Sequence, residues 1–213
     1  MSLKNIDELN SLQMDVLTEL GNIGSGNAAT SLSNLVGKEI IINVPKVKIL
    51  GFNEAVDFVG GPENLVVGVL IKLLGDIEGL ILYIFEKNFV STILNTFFGK
   101  DFDINIKLDD MDESTLKEIG NIMASSYVNA IGSMTDLFID ISVPSICVDM
   151  AGAILSVPAI EFAKLGNKVL FIDDSFSIGE DIIKSKMILV PEMDSLYLLF
   201  KKLGVDVWYG WNK

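Results

Sequence analysis

A glutamate followed three residues later by an asparagine occurs twice in this chain, each time within the phrase Glu-(Leu or Ile)-Gly-Asn-Ile. The two phrases are Glu19–Ile23 and Glu118–Ile122, 99 residues apart. An amide is no base, but its oxygen can position a water molecule while its nitrogen donates a hydrogen bond. A carboxamide can orient the attacking water in phosphoryl transfer, where positioning and electrostatics dominate catalysis. A glutamate beside it could bind a lysine of a partner protein.

The repeated spacing extends to four positions in each copy. Side chains at i, i+4 and i+7 of an α-helix share one face, so each set predicts one polar stripe. The sets are Asp15, Glu19, Asn22 and Gly26 in the first copy and Ser114, Glu118, Asn121 and Ser125 in the second. The small residue beyond each amide leaves room for another molecule. A proline, Pro45 or Pro144, follows each asparagine after 22 intervening residues.

Both copies place Gly-Asn inside a predicted helix, which is locally unfavourable. Glycine costs about 1 kcal/mol relative to alanine in a helix interior, and asparagine is also a poor helix former. When both copies keep the same residues of low helix propensity, those residues are expected to serve function or tight packing. The alternative to function is that each glycine lets its helix lie close to a neighbouring element.

The composition excludes several kinds of chemistry. The chain has 213 residues, no histidine, and lysine as its only basic residue type. Histidine-dependent triads, histidine-ligated zinc and arginine fingers are therefore excluded. Cys147 is the only cysteine, so no intrachain disulfide can form, and we expect it in a buried strand. The net charge of −13 argues against a nucleic-acid ligand.

Because the polar stripes alone cannot bind phosphate or magnesium, a partner would have to supply both. That points to dephosphorylation of a phosphorylated protein rather than of a small metabolite. The longest apolar runs, Leu65–Ile71 and Gly79–Phe85, are far shorter than the roughly 20 residues of a membrane span. The first residues, Met1–Glu8, lack the features of a signal peptide. We therefore expect a cytoplasmic protein without membrane insertion.

Internal repetition predicts an α+β fold in which two homologous units, about 8–100 and 110–204, are related by a pseudo-twofold axis. Mixed or antiparallel sheets would carry the helices, within one domain over 1–213. An acidic connector is expected over 101–112, and a tail over 205–213 holds both tryptophans. This tail is either a packed strand or an exposed end that binds a partner.

Hydrophobic periodicity and turn residues predict corresponding elements in both units. Helices are expected over 12–36 and 113–133, strands over Glu39–Val44 and Phe138–Val143, and helix-like stretches over Asn53–Gly61 and Pro158–Gly166. Apolar runs about turns follow over Asn64–Leu74 with Glu78–Phe85 and over Lys168–Ser177 with Ile182–Val190. Closing helices are expected over Lys87–Phe98 and Glu192–Leu203.

At the two stripes the chain resembles the CheC group of chemotaxis phosphatases, within the CheC/CheX/FliY family. The signature of that family is Asp or Ser, three residues, Glu, two residues, Asn, 22 residues and Pro. It is matched in full by Asp15, Glu19, Asn22 and Pro45 and again by Ser114, Glu118, Asn121 and Pro144. The resemblance covers about residues 8–204.

The resemblance implies a function for each stripe. The substrate would be the aspartyl-phosphate of the response regulator CheY, with Asn22 and Asn121 orienting water for in-line attack. Glu19 and Glu118 would each bind a lysine of the regulator. The chain would need no cofactor of its own, because the regulator would supply magnesium. CheD, a receptor-modifying deamidase, is a second partner implied by the family.

Two other interpretations stay open at this stage. The chain could be a chemotaxis or flagellar-switch adaptor that binds CheY or CheD without catalysis. A complex that leaves the lifetime of the regulator's phosphate unchanged would indicate such an adaptor. Alternatively, Glu19 and Glu118 could face each other across the pseudo-twofold axis as the two carboxylates of a sugar hydrolase. The predicted helices offer few of the aromatic residues that sugar clefts favour.

Overall fold

The computed structural model describes residues 6–99, 108–157, 168–179 and 181–205, and it has the expected α+β architecture. After a short 3₁₀ turn at Ile6–Glu8, the helices are α1 (Ser11–Val36), α2 (Phe52–Phe58), α3 (Lys87–Phe98), α4 (Asp110–Thr135), α5 (described over 151–157) and α6 (Met193–Lys202). The strands are β1 (Ile40–Ile42), β2 (Lys46–Gly51), β3 (Leu65–Gly75), β4 (Gly79–Phe85), β5 (Ile139–Ile141), β6 (Ser145–Met150), β7 (Lys168–Ile178) and β8 (Asp181–Pro191).

The eight strands described form one antiparallel sheet to which both repeats contribute. Its order is β1-β7-β8-β4-β3-β5, with β2 also pairing β7 and β6 also pairing β3. At the centre, β4 and β8 place Leu82 opposite Ile188. Each of these residues stands five positions before the helix that closes its repeat, α3 or α6. Leu82 and Ile188 are therefore equivalent residues of the two repeats, and the pseudo-twofold axis passes between them.

Helices cover both faces of the sheet. One apolar cluster joins the first face to α1, α3, α4 and α6, and its larger members include Tyr83, Phe85 and Phe176. A second cluster joins the opposite face to α2 and α5 through residues such as Val56, Phe171 and Ile154. Because the two signature helices α1 and α4 share the first face, both polar stripes belong to the same side of the sheet.

Most of the predicted elements are confirmed, with ends shifted by at most three residues. α1, α3, α4 and α6 fall on the expected helices, and β3, β4, β7 and β8 fall on the expected apolar runs. The strands expected before the signature prolines are shorter than predicted, at three residues each. The chain then resumes as β2 and β6 after each proline, because proline lacks the N–H that a continuous ladder requires.

One expectation about the helices is wrong, and another falls outside the described residues. The connector was expected to end at residue 112, but α4 already begins at Asp110, since Asp109 caps it and acidic residues favour a helix N-terminus. α2 and α5, the latter described over 151–157, occupy equivalent positions in the two repeats. The described part of α5 begins 99 residues after the start of α2, which is the same separation as that between the two signatures. The stretch Pro158–Gly166, most of the connector and the tail from 206 lie outside the described residues.

The expected burial of Cys147 is also wrong, although its strand is correct. Cys147 is exposed because β6 lies at a margin of the described sheet and pairs β3 on one side. Partial desolvation and the neighbouring Asp149 raise the pKa of its thiol. An apolar sequence around a cysteine does not distinguish an inner strand from a marginal one.

Candidate functional site

The two helices that carry the polar stripes begin and end with specific caps. Asn10 and Gln13 form a reciprocal capping box at the start of α1, with both hydrogen bonds at 2.9 Å. At the start of α4, Asp109 accepts hydrogen bonds from two backbone amides at 2.9 and 2.8 Å. Gly37 ends α1 at φ 68°, in the left-handed conformation that glycine adopts readily. These caps define two continuous 26-residue helices as supports for the candidate sites.

In the first copy the acid is exposed and the amide is half-buried. Asp15 and Glu19 face solvent, and Asn22 Nδ2 donates a 3.3 Å hydrogen bond to Glu19 Oε2. Asn22 Oδ1 is buried and has no hydrogen-bond partner among the described residues. The amide is therefore oriented by the acid in the free protein, while its oxygen, the atom that could hold a water, makes no internal bond.

The second copy repeats this exposure but not the hydrogen bond. Ser114 and Glu118 are exposed and Asn121 is half-buried. In the described chain no hydrogen bond joins Glu118 to Asn121. Gly26 and Ser125, at the end of each stripe, are also only half-buried. Both stripes thus present an accessible carboxylate and a partly accessible amide one helical turn apart.

The glycines before the two asparagines differ in how closely their helices approach neighbouring side chains. A Cβ on Gly21 would lie 3.4 Å from Val47 Cγ2 and 3.9 Å from Pro45 Cγ. A Cβ on Gly120 would lie only 2.7 Å from Val69 Cγ1, which is closer than carbon atoms normally approach. Gly120 is thus required for close packing, whereas a methyl group at Gly21 would make ordinary van der Waals contacts.

A buried polar cluster beneath the stripes was not predicted from the sequence. Ser25 on α1 donates a 2.7 Å hydrogen bond to Asp174 on β7, and Tyr127 on α4 donates one of 3.0 Å to the same carboxylate. The Ser25 and Tyr127 hydroxyls also contact each other. Residues from three elements, separated by up to 149 positions, thus meet at one carboxyl group, and only the folded chain reveals them.

Burial governs the ionisation of this cluster. Asp174 is fully buried, and desolvation raises its pKa to about 6, with a smaller contribution from Asp173. The hydrogen bonds from Ser25 and Tyr127 oppose this rise because they stabilise the carboxylate. Burial, followed by the charge of Asp174, raises the pKa of Tyr127. Asp174 therefore lies close enough to neutrality to change charge in mildly acidic solution.

The described residues contain no cluster of three or more histidine, cysteine, aspartate or glutamate side chains that could hold a metal ion. In the same residues, no helix combines the length and apolar character needed to cross a bilayer. What the described site offers is a carboxylate and an amide, presented twice on rigid supports.

The fold and the paired acid–amide stripes define a class of two-repeat α+β proteins with a shared antiparallel sheet. A model of the CheC-like family matches residues 12–49 and 111–148, which contain both signatures. The chain is also 35% identical over 199 residues to the CheY-P phosphatase CheC of Bacillus subtilis (strain 168), covering 92% of this chain and 95% of that protein. The chain therefore belongs to the CheC-like family.

Two further comparisons agree with this assignment. The flagellar motor switch phosphatase FliY of Bacillus subtilis (strain 168) is 25% identical over 145 residues, or 68% of this chain and 38% of that protein. The crystal structure of Thermotoga maritima FliY has the same fold, with a TM-score of 0.73 and 23% identity. That match covers 92% of this chain and 99% of the other.

Proposed function

We propose that this chain is a phosphatase that hydrolyses the aspartyl-phosphate of the chemotaxis response regulator CheY. The observation that carries the proposal is the 35% identity, over nearly the whole length of both chains, to a protein named CheY-P phosphatase CheC. This similarity favours the phosphatase over the sugar hydrolase, and the two exposed acid–amide pairs are consistent with docking on a partner protein.

In the proposed reaction, a water oxygen attacks phosphorus in line with the bond to the regulator's aspartate. The P–O bond to the carboxylate breaks, inorganic phosphate leaves with the new oxygen, and the aspartate carboxylate is regenerated. Asn22 or Asn121 orients the water through its amide oxygen. The site needs no nucleophile of its own, because the substrate is already activated as an acyl phosphate.

The Glu19–Asn22 hydrogen bond suggests how docking prepares the first site. A lysine of the regulator would bind Glu19, because an ammonium group forms a stronger, charge-assisted contact with a carboxylate than an amide does. Asn22 Nδ2 would then be free, and the side chain could turn its oxygen toward the water. Glu118 and Asn121 start without this bond, so the second site requires no such release.

The remaining parts of the reaction belong to the partner. The regulator holds the phosphoryl group and would supply magnesium, since no group of three or more potential metal-ligating side chains lies among the described residues. The reaction would take place in the cytoplasm. CheD is proposed as a second partner, with no residue of this chain assigned to its binding.

The test is the half-life of phosphorylated CheY with magnesium, in the presence of wild-type protein or of Asn22→Ala, Asn121→Ala and the double variant. Each single substitution should slow phosphate release, and the double should lower it by about 10²–10³-fold, as expected when an oriented polar group is lost. Asn27→Ala and Asn129→Ala remove exposed asparagines from the same helices and should have no effect.

Two outcomes would contradict the proposal. A double variant with wild-type activity would remove both asparagines from the mechanism. A wild-type protein that binds the regulator without shortening the phosphate half-life would instead be the non-catalytic adaptor.

A further inference from the structure

Large apolar side chains flank the candidate sites and are exposed in both repeats. Leu12 and Met111 occupy equivalent positions in the first turn of α1 and α4 and are 55% and 63% exposed. Val44 and Val143 precede the two signature prolines and are 76% and 86% exposed. Single exposed apolar residues are common on protein surfaces. These four are distinguished by their positions beside the two signatures, in addition to being apolar and exposed in both repeats.

The geometry of α1 and α4 directs the first pair toward the polar stripes. Leu12 lies seven residues before Glu19, and Met111 lies seven residues before Glu118. Seven residues are two helical turns, so each apolar side chain shares a face with its glutamate, about 10 Å away along the axis.

The second pair lies on the loops that join β1 to β2 and β5 to β6. In the first repeat, Pro45 packs beside Gly21, the residue that immediately precedes Asn22. Val44 directly precedes Pro45 in this loop, so it lies one residue from a contact with α1. Each repeat therefore has one apolar residue in line with its glutamate along the helix and another on the loop that contains the signature proline.

We propose that Leu12 with Val44, and Met111 with Val143, are apolar anchors that dock the phosphorylated regulator at the first and second site. The inference rests on the proposed phosphatase function and adds a specific binding surface to it. The anchors would be covered by apolar surface beside the phosphorylation site of the regulator, while the glutamate binds its lysine. Burial of apolar area supplies affinity, and the carboxylate fixes the orientation.

Charge complementarity supports a partner with a mixed basic and apolar surface. Exposed carboxylates accompany the anchors, at Asp15 and Glu19 in the first site and at Asp110 and Glu118 in the second. The net charge of −13 opposes binding to anionic lipid or nucleic acid. A protein surface that presents lysine next to apolar side chains matches both features.

The chain provides a matched control. Leu35 and Met134 are equivalent residues of the two repeats, near the ends of α1 and α4, and are 40% and 43% exposed. Each lies 16 residues after its signature glutamate, which turns it about 160° away around the helix. Replacing these residues removes exposed apolar surface from the same helices without altering the stripe.

The experiment isolates one site by using the Asn121→Ala background and phosphorylated CheY as substrate. Leu12→Ser with Val44→Ser should raise KM by about tenfold and leave kcat within about twofold, because the anchors act in binding and not in the chemical step. Leu35→Ser in the same background should change neither parameter. Leu12→Met should retain the original KM. Thermal unfolding verifies that each variant remains folded.

Titration of the regulator carrying beryllofluoride, a stable phosphoryl mimic, separates this inference from the proposed function. An unchanged KM and affinity in the anchor variant, or an equal loss in Leu35→Ser, would overturn the docking surface. If the wild type binds the mimic without hydrolysing phosphate, and the anchor variant binds more weakly, the catalytic proposal alone fails. A wild type that does neither would overturn both.

Discussion

At the scale of single residues, two glycines on α1 differ in what the fold demands of them. A Cβ on Gly24 would lie 2.5 Å from Tyr127 Cδ1, because the tyrosine ring packs directly on the helix backbone. Nothing lies within 4 Å of the corresponding position on Gly26. The first glycine therefore permits the close approach of α1 and α4, whereas the second leaves the outer end of the polar stripe open.

Gly24→Ala is expected to lower the free energy of unfolding by about 1–3 kcal/mol, because the added methyl group must displace the Tyr127 ring from a packed interior. Gly26→Ala should raise it by up to about 1 kcal/mol through helix propensity alone. Urea denaturation of both variants measures the difference. Equal effects of the two substitutions would show that Gly24 is not required for helix contact.

The catalytic candidates could be chosen from sequence because they are local and repeated. Glu19 and Asn22 lie within one helical turn, so helical geometry alone predicts their shared face. Asp174 could not be chosen in this way, since its partners Ser25 and Tyr127 lie on two other elements. An aspartate within an apolar run was the available signal, but it does not indicate which hydroxyl groups surround it.

At the scale of secondary-structure elements, the Asp174 carboxyl group connects β7 to both signature helices. It accepts hydrogen bonds from α1 and α4, and the hydroxyl groups of these helices contact each other above it. Tyr83 and Ser185, on neighbouring strands, add buried hydroxyl groups without partners among the described residues. Burying these polar groups costs more free energy than burying apolar side chains in their place. The cluster links both helices to the sheet through directional hydrogen bonds, which apolar contacts would not provide.

Ionisation of Asp174 should make stability depend on pH in a predictable direction. Its pKa is about 6 in the folded protein and about 3.9 when unfolded, so the folded state holds the proton more tightly. The stabilising contribution is complete below about pH 4 and is lost as the pH rises through 6, by about 3 kcal/mol in total.

Asp174→Asn removes this titration, and comparison with the wild type cancels the other carboxylates. The stability of the wild type relative to the variant should therefore fall between pH 4 and 7, as measured by denaturation at a series of pH values. A difference that stays constant, or that grows with pH, would contradict the raised pKa.

The periodic elements were also predictable from the sequence, whereas their pairing partners were not. The hairpin β3–β4 follows from two apolar runs about Gly75 and Asp76, and its strands lie within one residue of those runs. By contrast, β2 went unpredicted because its six residues alternate lysine with apolar residues only briefly. Its six backbone pairs are made with β7, more than 100 residues away.

At the scale of the whole molecule, the two repeats exchange strands. β1 and β2 of the first repeat pair with β7 of the second, while β5 and β6 of the second pair with β3 of the first. The centre of the sheet is the β4–β8 pair, which also joins the repeats. Duplication of the sequence thus yields one shared sheet, which holds the two candidate sites in a fixed relation.

Separate expression of the two repeats tests whether they form a single cooperative domain. Cutting the chain between residues 99 and 108 leaves two strands of each half without any of their described partners, β1 and β2 in the first and β5 and β6 in the second. It also divides the main apolar cluster between the halves. Each half alone is therefore expected to show the circular dichroism and amide-proton dispersion of an unfolded or self-associated chain, because unpaired strands and exposed apolar surface are strongly unfavourable. Coexpression of the two halves should restore a folded complex with the thermal transition of the intact protein. A monomeric half with a cooperative transition of its own would contradict the single domain and would indicate that each signature can be supported independently.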